Sequence, residues 1–137
     1  MSDPIIRIRG LRTQIGPKVI HEGLDLDVMR GEILGIVGGS GTGKSVLLRS
    51  IIGLQRPEAG TIEIFGEPIA GLGEEESLEL RRHWGVLFQN GALFSTLTVA
   101  ENIEVPLRYR GFNARERKER IEDALAKVGL ASRMKHY

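Results

Sequence analysis

The chain has 137 residues, of which 41% are hydrophobic, so it has the length of one ordinary domain and enough apolar content for a core. Its 19 basic and 18 acidic residues nearly cancel, and no strong field indicates a nucleic acid or an anionic membrane surface as partner. The absence of cysteine excludes disulfides and thiolate metal sites.

The first residues show no sign of a targeting segment. Met1 to Pro4 contain no basic stretch followed by an apolar one, and no run approaches the roughly 18 apolar residues of a membrane span. We therefore expect a soluble chain without direct membrane insertion, whose link to any membrane comes through another protein.

Alternating apolar and polar residues open the chain. Residues 6–9 and 24–28 both have the period of half-buried strands, and Gly16 and Gly31 follow such stretches as turn residues. The pattern predicts an antiparallel β-layer at the N-terminus.

A different pattern follows at residues 33–37, which form a continuous apolar run. Such a run favours a strand covered on both faces, as in a parallel α/β sheet. From Lys44 the apolar spacing becomes helical, and Gly53 is placed to end the helix. The residues expected to share its apolar stripe are Leu47, Leu48, Ile51 and Ile52. The order predicted is strand, glycine loop and helix.

The middle of the chain predicts two more strands and a short helix. Residues 61–65 alternate like a solvent-facing strand, and residues 71–76 are typical of a loop. A short helix is predicted over residues 79–82 and a second buried strand over 85–88. Gln89 follows this strand, where ligands bind in open α/β sheets, although a lone glutamine there is also compatible with an ordinary loop.

Two capping boxes mark the helices of the C-terminal half. Thr98 with Glu101 and Asn113 with Glu116 have the spacing at which two side chains satisfy free backbone donors of a first turn. The first helix is predicted to run to about Pro106. The apolar face and the end of the second helix are predicted at Ile121, Leu125, Val128 and Gly129.

The glycine-rich segment matches the P-loop pattern of glycine, four residues, glycine, lysine, then serine or threonine. The candidate phosphate-binding residues are Gly38, Gly39, Ser40, Gly41, Thr42, Gly43, Lys44, Ser45 and Val46. Without Cβ atoms the backbone can curl so that N–H groups and the following helix N-terminus face a phosphate chain. Lys44 is then placed to reach the β- and γ-phosphates and Ser45 to coordinate magnesium. An accidental glycine-rich turn is the alternative, but the flanking strand and helix are predicted without the motif.

Several motifs in this order resemble the ATP-binding subunits of ABC transporters. They are residues 24–32, the P-loop, residues 57–62, residues 88–89 and residues 97–103. The resemblance implies an α/β fold, with a P-loop NTPase core and an N-terminal antiparallel β-subdomain. It implies ATP and Mg2+ as cofactors, and Gln89 resembles the Q-loop glutamine that contacts magnesium and the attacking water. Lys44 and Gln89 are then the expected catalytic residues.

Within this family, residues 38–49, 89–94 and 105–108 look like the Mla type, the ATPases of phospholipid transport between bacterial membranes. The likeness implies transmembrane permease subunits and a second ATP-binding subunit, as a homodimer, as partners. It places the protein in the cytoplasm, at the inner face of the inner membrane. No nucleic acid partner is expected. The alternatives are an importer or exporter ATPase for another substrate, and a non-transport ABC ATPase acting on ribosomes or DNA.

The chain also departs from the family pattern. Ile15 stands where many relatives carry an aromatic that stacks on adenine, and Val46 stands where many carry threonine. The family's signature motif, its Walker B acidic residues and its switch histidine are not found before Tyr137. Residues 1–137 are therefore expected to be the N-terminal part of an ATP-binding domain, which binds ATP without turnover. A natural truncation that serves as a binding module is the remaining alternative.

Overall fold

The computed structural model describes residues 3–137. Met1 and Ser2, on which the expectation about a targeting segment partly rests, lie outside the described residues. The chain divides into two compact units, the first ending at Gly85 and the second beginning at Val86. That residues 1–137 are the front part of a larger ATP-binding domain stays a prediction.

An antiparallel sheet forms the centre of the first unit. Its strands are β1 (Ile6–Ile15), β2 (Lys18–Val28), β3 (Ala59–Ile64) and β4 (Glu67–Pro68), paired in the order β2-β1-β3-β4. The predicted N-terminal β-layer is confirmed. The strand predicted at residues 61–65 is confirmed up to Ile64, whereas Phe65 turns away with a φ of 52°.

Strand β1 changes the phase of its buried residues at a bulge. Pairing with β2 is irregular between Ile8 and Leu11, and Gly10 within that stretch has a φ of 58°. The Gly10 N–H donates to the Asp25 carboxylate at 2.7 Å. Because a bulge adds one residue to one strand, the inward positions pass from Ile8 to Leu11 and Thr13, all of which are fully buried.

Helix α1 (Lys44–Ile51) packs its apolar face on this sheet. Leu47 and Ile51 are buried there as predicted, in a cluster that includes Ile8, Leu11, Ile62 and Ile64. The predicted stripe is wrong at Leu48, which is 45% exposed, while Ser50 is buried instead. The buried residues of α1 are Val46, Leu47, Ser50 and Ile51, and at about 100° per residue these four share one face, from which Leu48 points away.

Two predicted buried strands are not formed, at residues 33–37 and 85–88. Ile33, Val37 and Leu87 are 99%, 94% and 97% exposed. A strand in a parallel sheet needs hydrogen-bonded neighbours and a covering layer on each face. The sheet of residues 3–137 is antiparallel and includes neither segment. The predicted position of Gln89 at a strand end is wrong for the same reason.

Helix α2 (Glu74–Arg81) begins earlier than the sequence predicted, so the expected loop over residues 71–76 is shortened. Gly73 precedes its first turn, and the Gly73 N–H donates to the Glu76 carboxylate at 3.1 Å. Three glutamates occupy that turn, where negative charge is favourable. The start was missed because glycine at the cap supplies no side-chain signal.

The second unit contains helices α3 (Val99–Tyr109) and α4 (Ala114–Lys127), with a short 3-10 helix at Ala131–Arg133. Both predicted capping boxes are confirmed. At α3 the Thr98 N–H donates to the Glu101 carboxylate at 2.7 Å, and the Glu101 N–H donates to the Thr98 hydroxyl at 3.2 Å. At α4 the two reciprocal bonds between Asn113 and Glu116 are both 2.9 Å.

The ends of these helices differ in part from the prediction. Helix α3 continues past Pro106 to Tyr109. Proline removes only its own backbone donor, and its carbonyl still accepts a hydrogen bond from the Arg110 N–H at 3.3 Å. In α4, Ile121 and Leu125 are buried as predicted, but Val128 is 66% exposed. Among residues 3–137 no helix is both long and apolar enough to cross a membrane.

Candidate functional site

The glycine loop connects the exposed segment 33–37 to helix α1 and bends sharply just before the helix. Gly41 and Gly43 have φ values of 78° and 99°, and Gly43 is the residue that precedes the first turn of α1. L side chains rarely adopt this left-handed region, so glycine is required at both positions. The motif therefore fits the backbone conformation that it has here.

Space also restricts the loop. A Cβ on Gly38 would lie 2.7 Å from the Thr42 hydroxyl, which itself donates to the Gly39 carbonyl at 2.8 Å. A Cβ on Gly43 would lie 2.5 Å from the Ile20 Cγ2 atom of β2. The loop is thus closed on itself at one end and packed against the sheet at the other.

The Lys44 side chain turns back over the loop. Its ammonium donates to the Gly38 and Gly39 carbonyls at 2.5 and 2.8 Å. The positive charge is thereby held at the loop and not extended into solvent. An anion bound by the loop would lie next to this charge.

The backbone donors around the helix start are free. Within residues 3–137, the N–H groups from Gly41 to Val46 donate to no protein acceptor. Free N–H groups at a helix N-terminus, together with the helix dipole, favour anions. Ser45 is exposed beside them and Val46 is buried. The free amides, the ammonium and the missing side chains together fit a phosphate chain.

Two other residues that the sequence analysis connected with the nucleotide are Gln89 and Ile15. Gln89 is exposed and belongs to the second unit, and Ile15 is 51% exposed at the end of β1. Among residues 3–137 no group of three or more histidine, cysteine, aspartate or glutamate side chains could hold a metal ion. The side-chain oxygens of the loop itself are the hydroxyls of Ser40, Thr42 and Ser45.

One feature beside the loop was missed from the sequence. The Thr13 hydroxyl and His21 Nδ1 are 2.6 Å apart across β1 and β2, and the His21 ring reaches Gly43. Alternation could not reveal this pair, because the bulge at Gly10 changes the inward phase of β1 before Thr13.

The protein-family model described as ABC transporter matches residues 21–137, which is most of the chain. The chain belongs to the ABC transporter family. The methionine import ATP-binding protein MetN of Rhizobium johnstonii is 43% identical over 99% of this chain and 38% of that protein. The protein of the same name from Nocardia farcinica is 48% identical over 87% of this chain and 35% of that protein.

Solved structures of this family share the fold. CbiO1 from Clostridium perfringens, part of the ABC transporter complex cbiONQ, superposes with a TM-score of 0.82 at 26% identity, over 98% of this chain and 54% of that one. An ATP binding subunit of an ABC transporter gives a TM-score of 0.78 at 25% identity, over 97% of this chain and 55% of that one. The predicted α/β fold of an ABC ATPase, with an antiparallel N-terminal sheet, is confirmed.

The relatives also bear on the length of the match and on the expected substrate. The chain spans 38% of the length of the Rhizobium johnstonii protein, so the relative is much longer than the part matched here. The curated relatives named above are methionine import proteins, and the expected phospholipid transport finds no support among them.

Proposed function

We propose that this chain is the N-terminal part of the ATP-binding subunit of an ABC transporter, and that its P-loop holds the phosphate chain of ATP. The observation that carries the proposal is the loop itself. Free N–H groups from Gly41 to Val46 and the Lys44 ammonium lie at one helix start, in a chain that belongs to the ABC transporter family. These donors would stabilise phosphate charge without reorganising during the reaction.

Each residue of the loop has a distinct part in this proposal. Lys44 exchanges its two carbonyl acceptors for the terminal phosphates, where its charge balances theirs. Ser45 supplies a hydroxyl oxygen to Mg2+, which neutralises phosphate charge when it is bound. The free backbone donors for the phosphates come from Gly41, Thr42, Gly43, Lys44, Ser45 and Val46, and Gly38, Gly39 and Ser40 complete the loop.

Gln89 has a separate part. We assign it to Mg2+ and the attacking water, in the subunit's complete site, on its resemblance to the Q-loop glutamine of the family, and its amide offers both a donor and an acceptor. Residues 1–137 are proposed to bind ATP without turnover, and the full-length protein to hydrolyse it.

The proposed partners are transmembrane permease subunits and a second ATP-binding subunit, at the inner face of the bacterial inner membrane. The cbiONQ complex, of which the structurally similar cbiO1 is a part, supports a multi-subunit assembly. A non-transport role on ribosomes or DNA is less compatible with the near-neutral charge of 19 basic and 18 acidic residues.

For the transported substrate we favour the alternative hypothesis from the sequence analysis, which is an importer or exporter ATPase for a solute other than phospholipid. The names of the relatives make methionine the first solute to test. Phospholipid is the second candidate, because residues 89–94 and 105–108 have the Mla-like sequence described above.

Reconstitution of the full-length protein with its permease in lipid vesicles tests this function. ATP hydrolysis is measured in one assay with methionine and its binding protein, and in a second assay together with the exchange of labelled phospholipid. We expect hydrolysis that depends on the permease, is stimulated by methionine and is lost in Lys44→Ala. Stimulation coupled to phospholipid movement would instead favour the second candidate. Hydrolysis that responds to ribosomes or DNA and not to a permease would contradict both.

A further inference from the structure

The side chains of Thr13 and His21 form a directed pair behind the P-loop. They are cross-strand partners in β1 and β2, with irregular pairing on both sides of Thr13. Thr13 has no exposed surface, and its hydroxyl lies 2.6 Å from His21 Nδ1. A short hydrogen bond from a buried residue fixes the rotation of the imidazole ring.

The opposite edge of this ring lies against the P-loop. A Cβ on Gly43 would be 2.8 Å from His21 Nε2 and 3.0 Å from His21 Cε1. Real Cβ atoms do not approach so closely, so the ring packs directly on the glycine backbone. The Ile20 methyl, at 2.5 Å from the same point, completes the contact.

Gly43 is the residue through which such a contact can affect phosphate binding. It precedes Lys44 directly, and its carbonyl accepts the first helical bond of α1, from the Leu47 N–H at 2.9 Å. A shift of Gly43 would therefore re-aim both the free N–H groups of the helix start and the Lys44 side chain. Misplacement of aligned donors by a fraction of an ångström weakens their interaction with an anion.

The ring also keeps one nitrogen available. Among the described residues no buried polar side-chain atom lacks a hydrogen-bond partner, and the hydrogen bond of the ring with Thr13 uses Nδ1. Nε2 therefore retains contact with solvent beside Gly43. Its environment should change when a charged ligand enters the loop.

We propose that Thr13 and His21 are positioning residues of the nucleotide site, and that the hydrogen bond between them sets the P-loop geometry that receives the phosphate chain. The inference rests on the proposed function and adds to it. In this arrangement β1 and β2 contribute to phosphate affinity through Gly43, without touching the nucleotide.

The test compares Thr13→Val with Thr13→Ser in the full-length protein. Valine has nearly the shape of threonine but no hydroxyl, whereas serine restores the hydroxyl. Affinities for magnesium-ATP and for inorganic tripolyphosphate are measured at equal folded fraction, judged by circular dichroism and thermal unfolding. We expect Thr13→Val to weaken both ligands about fivefold, the order that loss of one hydrogen bond produces, and Thr13→Ser to recover most of the loss.

A second measurement needs no substitution at Thr13 or His21. Nitrogen-15 labelling of histidine in the wild-type protein reports the His21 ring during titration with tripolyphosphate, with His83 and His136 as internal controls. We expect the His21 signals to shift and the other two to stay, and this shift to be absent in Lys44→Ala.

The outcomes separate the two claims. If the wild type binds neither ATP nor tripolyphosphate, the proposed function is wrong. If it binds both but Thr13→Val equals the wild type, or the His21 ring does not respond, the positioning role is wrong and the P-loop assignment stands.

Discussion

Gly43 is excluded from carrying a side chain by both its backbone conformation and its surroundings. Its φ is 99°, and a Cβ would lie 2.5 Å from Ile20 Cγ2. Gly41 has a similar φ of 78° but nothing within 4 Å of the corresponding point. The two glycines therefore separate conformational strain from close packing.

We predict that Gly43→Ala lowers the free energy of unfolding by on the order of 3 kcal/mol, because strain and a steric clash add. Gly41→Ala should cost about 1 kcal/mol from strain alone. Urea unfolding of both variants measures the difference. Equal losses would show that β2 does not press on the loop.

At the residue scale, the sequence was informative where chemistry is local and uninformative where it depends on register. Lys44 and the loop glycines follow from a contiguous motif that needs no knowledge of the sheet. The pairing of Thr13 with His21 depends on a bulge at Gly10, whose place is fixed by the Asp25 hydrogen bond and by the approach of β3. Nothing in the period of β1 marks that bulge.

The starts of helices α3 and α4 were the most predictable features, since a capping box is decided by side chains within four residues. The hydroxyl of Thr98 accepts a bond from the Glu101 N–H at 3.2 Å. We predict that Thr98→Ala lowers the free energy of unfolding of the second unit by about 1 kcal/mol. Thr96→Ala, an exposed threonine nearby, is the matched control and should be neutral. Chemical denaturation followed by circular dichroism compares them, and similar losses would argue against the cap.

Helices α3 and α4 are linked by an ion cluster around Glu104. Its carboxylate accepts bonds from Arg108 at 3.1 Å and from Arg117 at 3.1 Å. The hydrogen bond from Arg108, with Arg117 beside it, holds the pKa of Glu104 below its ordinary value. A lowered pKa in the folded state means that the contribution to stability is present above the unfolded pKa and is lost as the pH falls through the folded pKa.

The resulting prediction concerns acid unfolding. The wild type should lose stability relative to Glu104→Gln as the pH falls from about 6 towards about 3, because a glutamate carboxyl becomes protonated in this range. At neutral pH the wild type should be the more stable of the two, and at low pH this advantage should disappear. Thermal unfolding across this pH range measures the difference, and parallel curves would contradict the cluster's role.

Strands were predictable only where their partners are local. The antiparallel hairpin of β1 and β2 is joined by a turn at Gly16, and alternation gives the inward face of β1 up to the bulge at Gly10. The apolar runs at 33–37 and 85–88 indicate burial, but burial of a parallel strand is a property of its neighbours. Within residues 3–137 those neighbours are not in the sheet, and the runs are exposed.

At the scale of the whole molecule, the exposed run gives a direct prediction for the chain of 137 residues. Amide hydrogens at residues 33–37 should exchange within seconds to minutes, whereas those of β1 at residues 6–8, paired on both sides, should be protected. Hydrogen exchange followed by mass spectrometry compares the two segments. Strong protection at 33–37 would support the strand that the sequence predicted.

Family and fold follow from the whole pattern of motifs, while the transported substrate does not. The ABC transporter match extends over residues 21–137, and the loop chemistry is contained in the first unit. In the proposed assembly we expect the permease and its associated proteins to contact the substrate. Residue patterns in the ATP-binding part do not determine the substrate for this reason. They predicted phospholipid, whereas the relatives named above are methionine import proteins.

The measurement that tests the central claim most directly is calorimetric titration of magnesium-ATP into the chain, with Lys44→Ala and the exposed Lys118→Ala as a matched pair. We predict saturable binding that Lys44→Ala weakens tenfold or more, about the effect of losing a charge-assisted hydrogen bond, while Lys118→Ala binds like the wild type. Absence of saturable binding in the folded chain, or equal affinity in Lys44→Ala, would contradict the assignment of the P-loop.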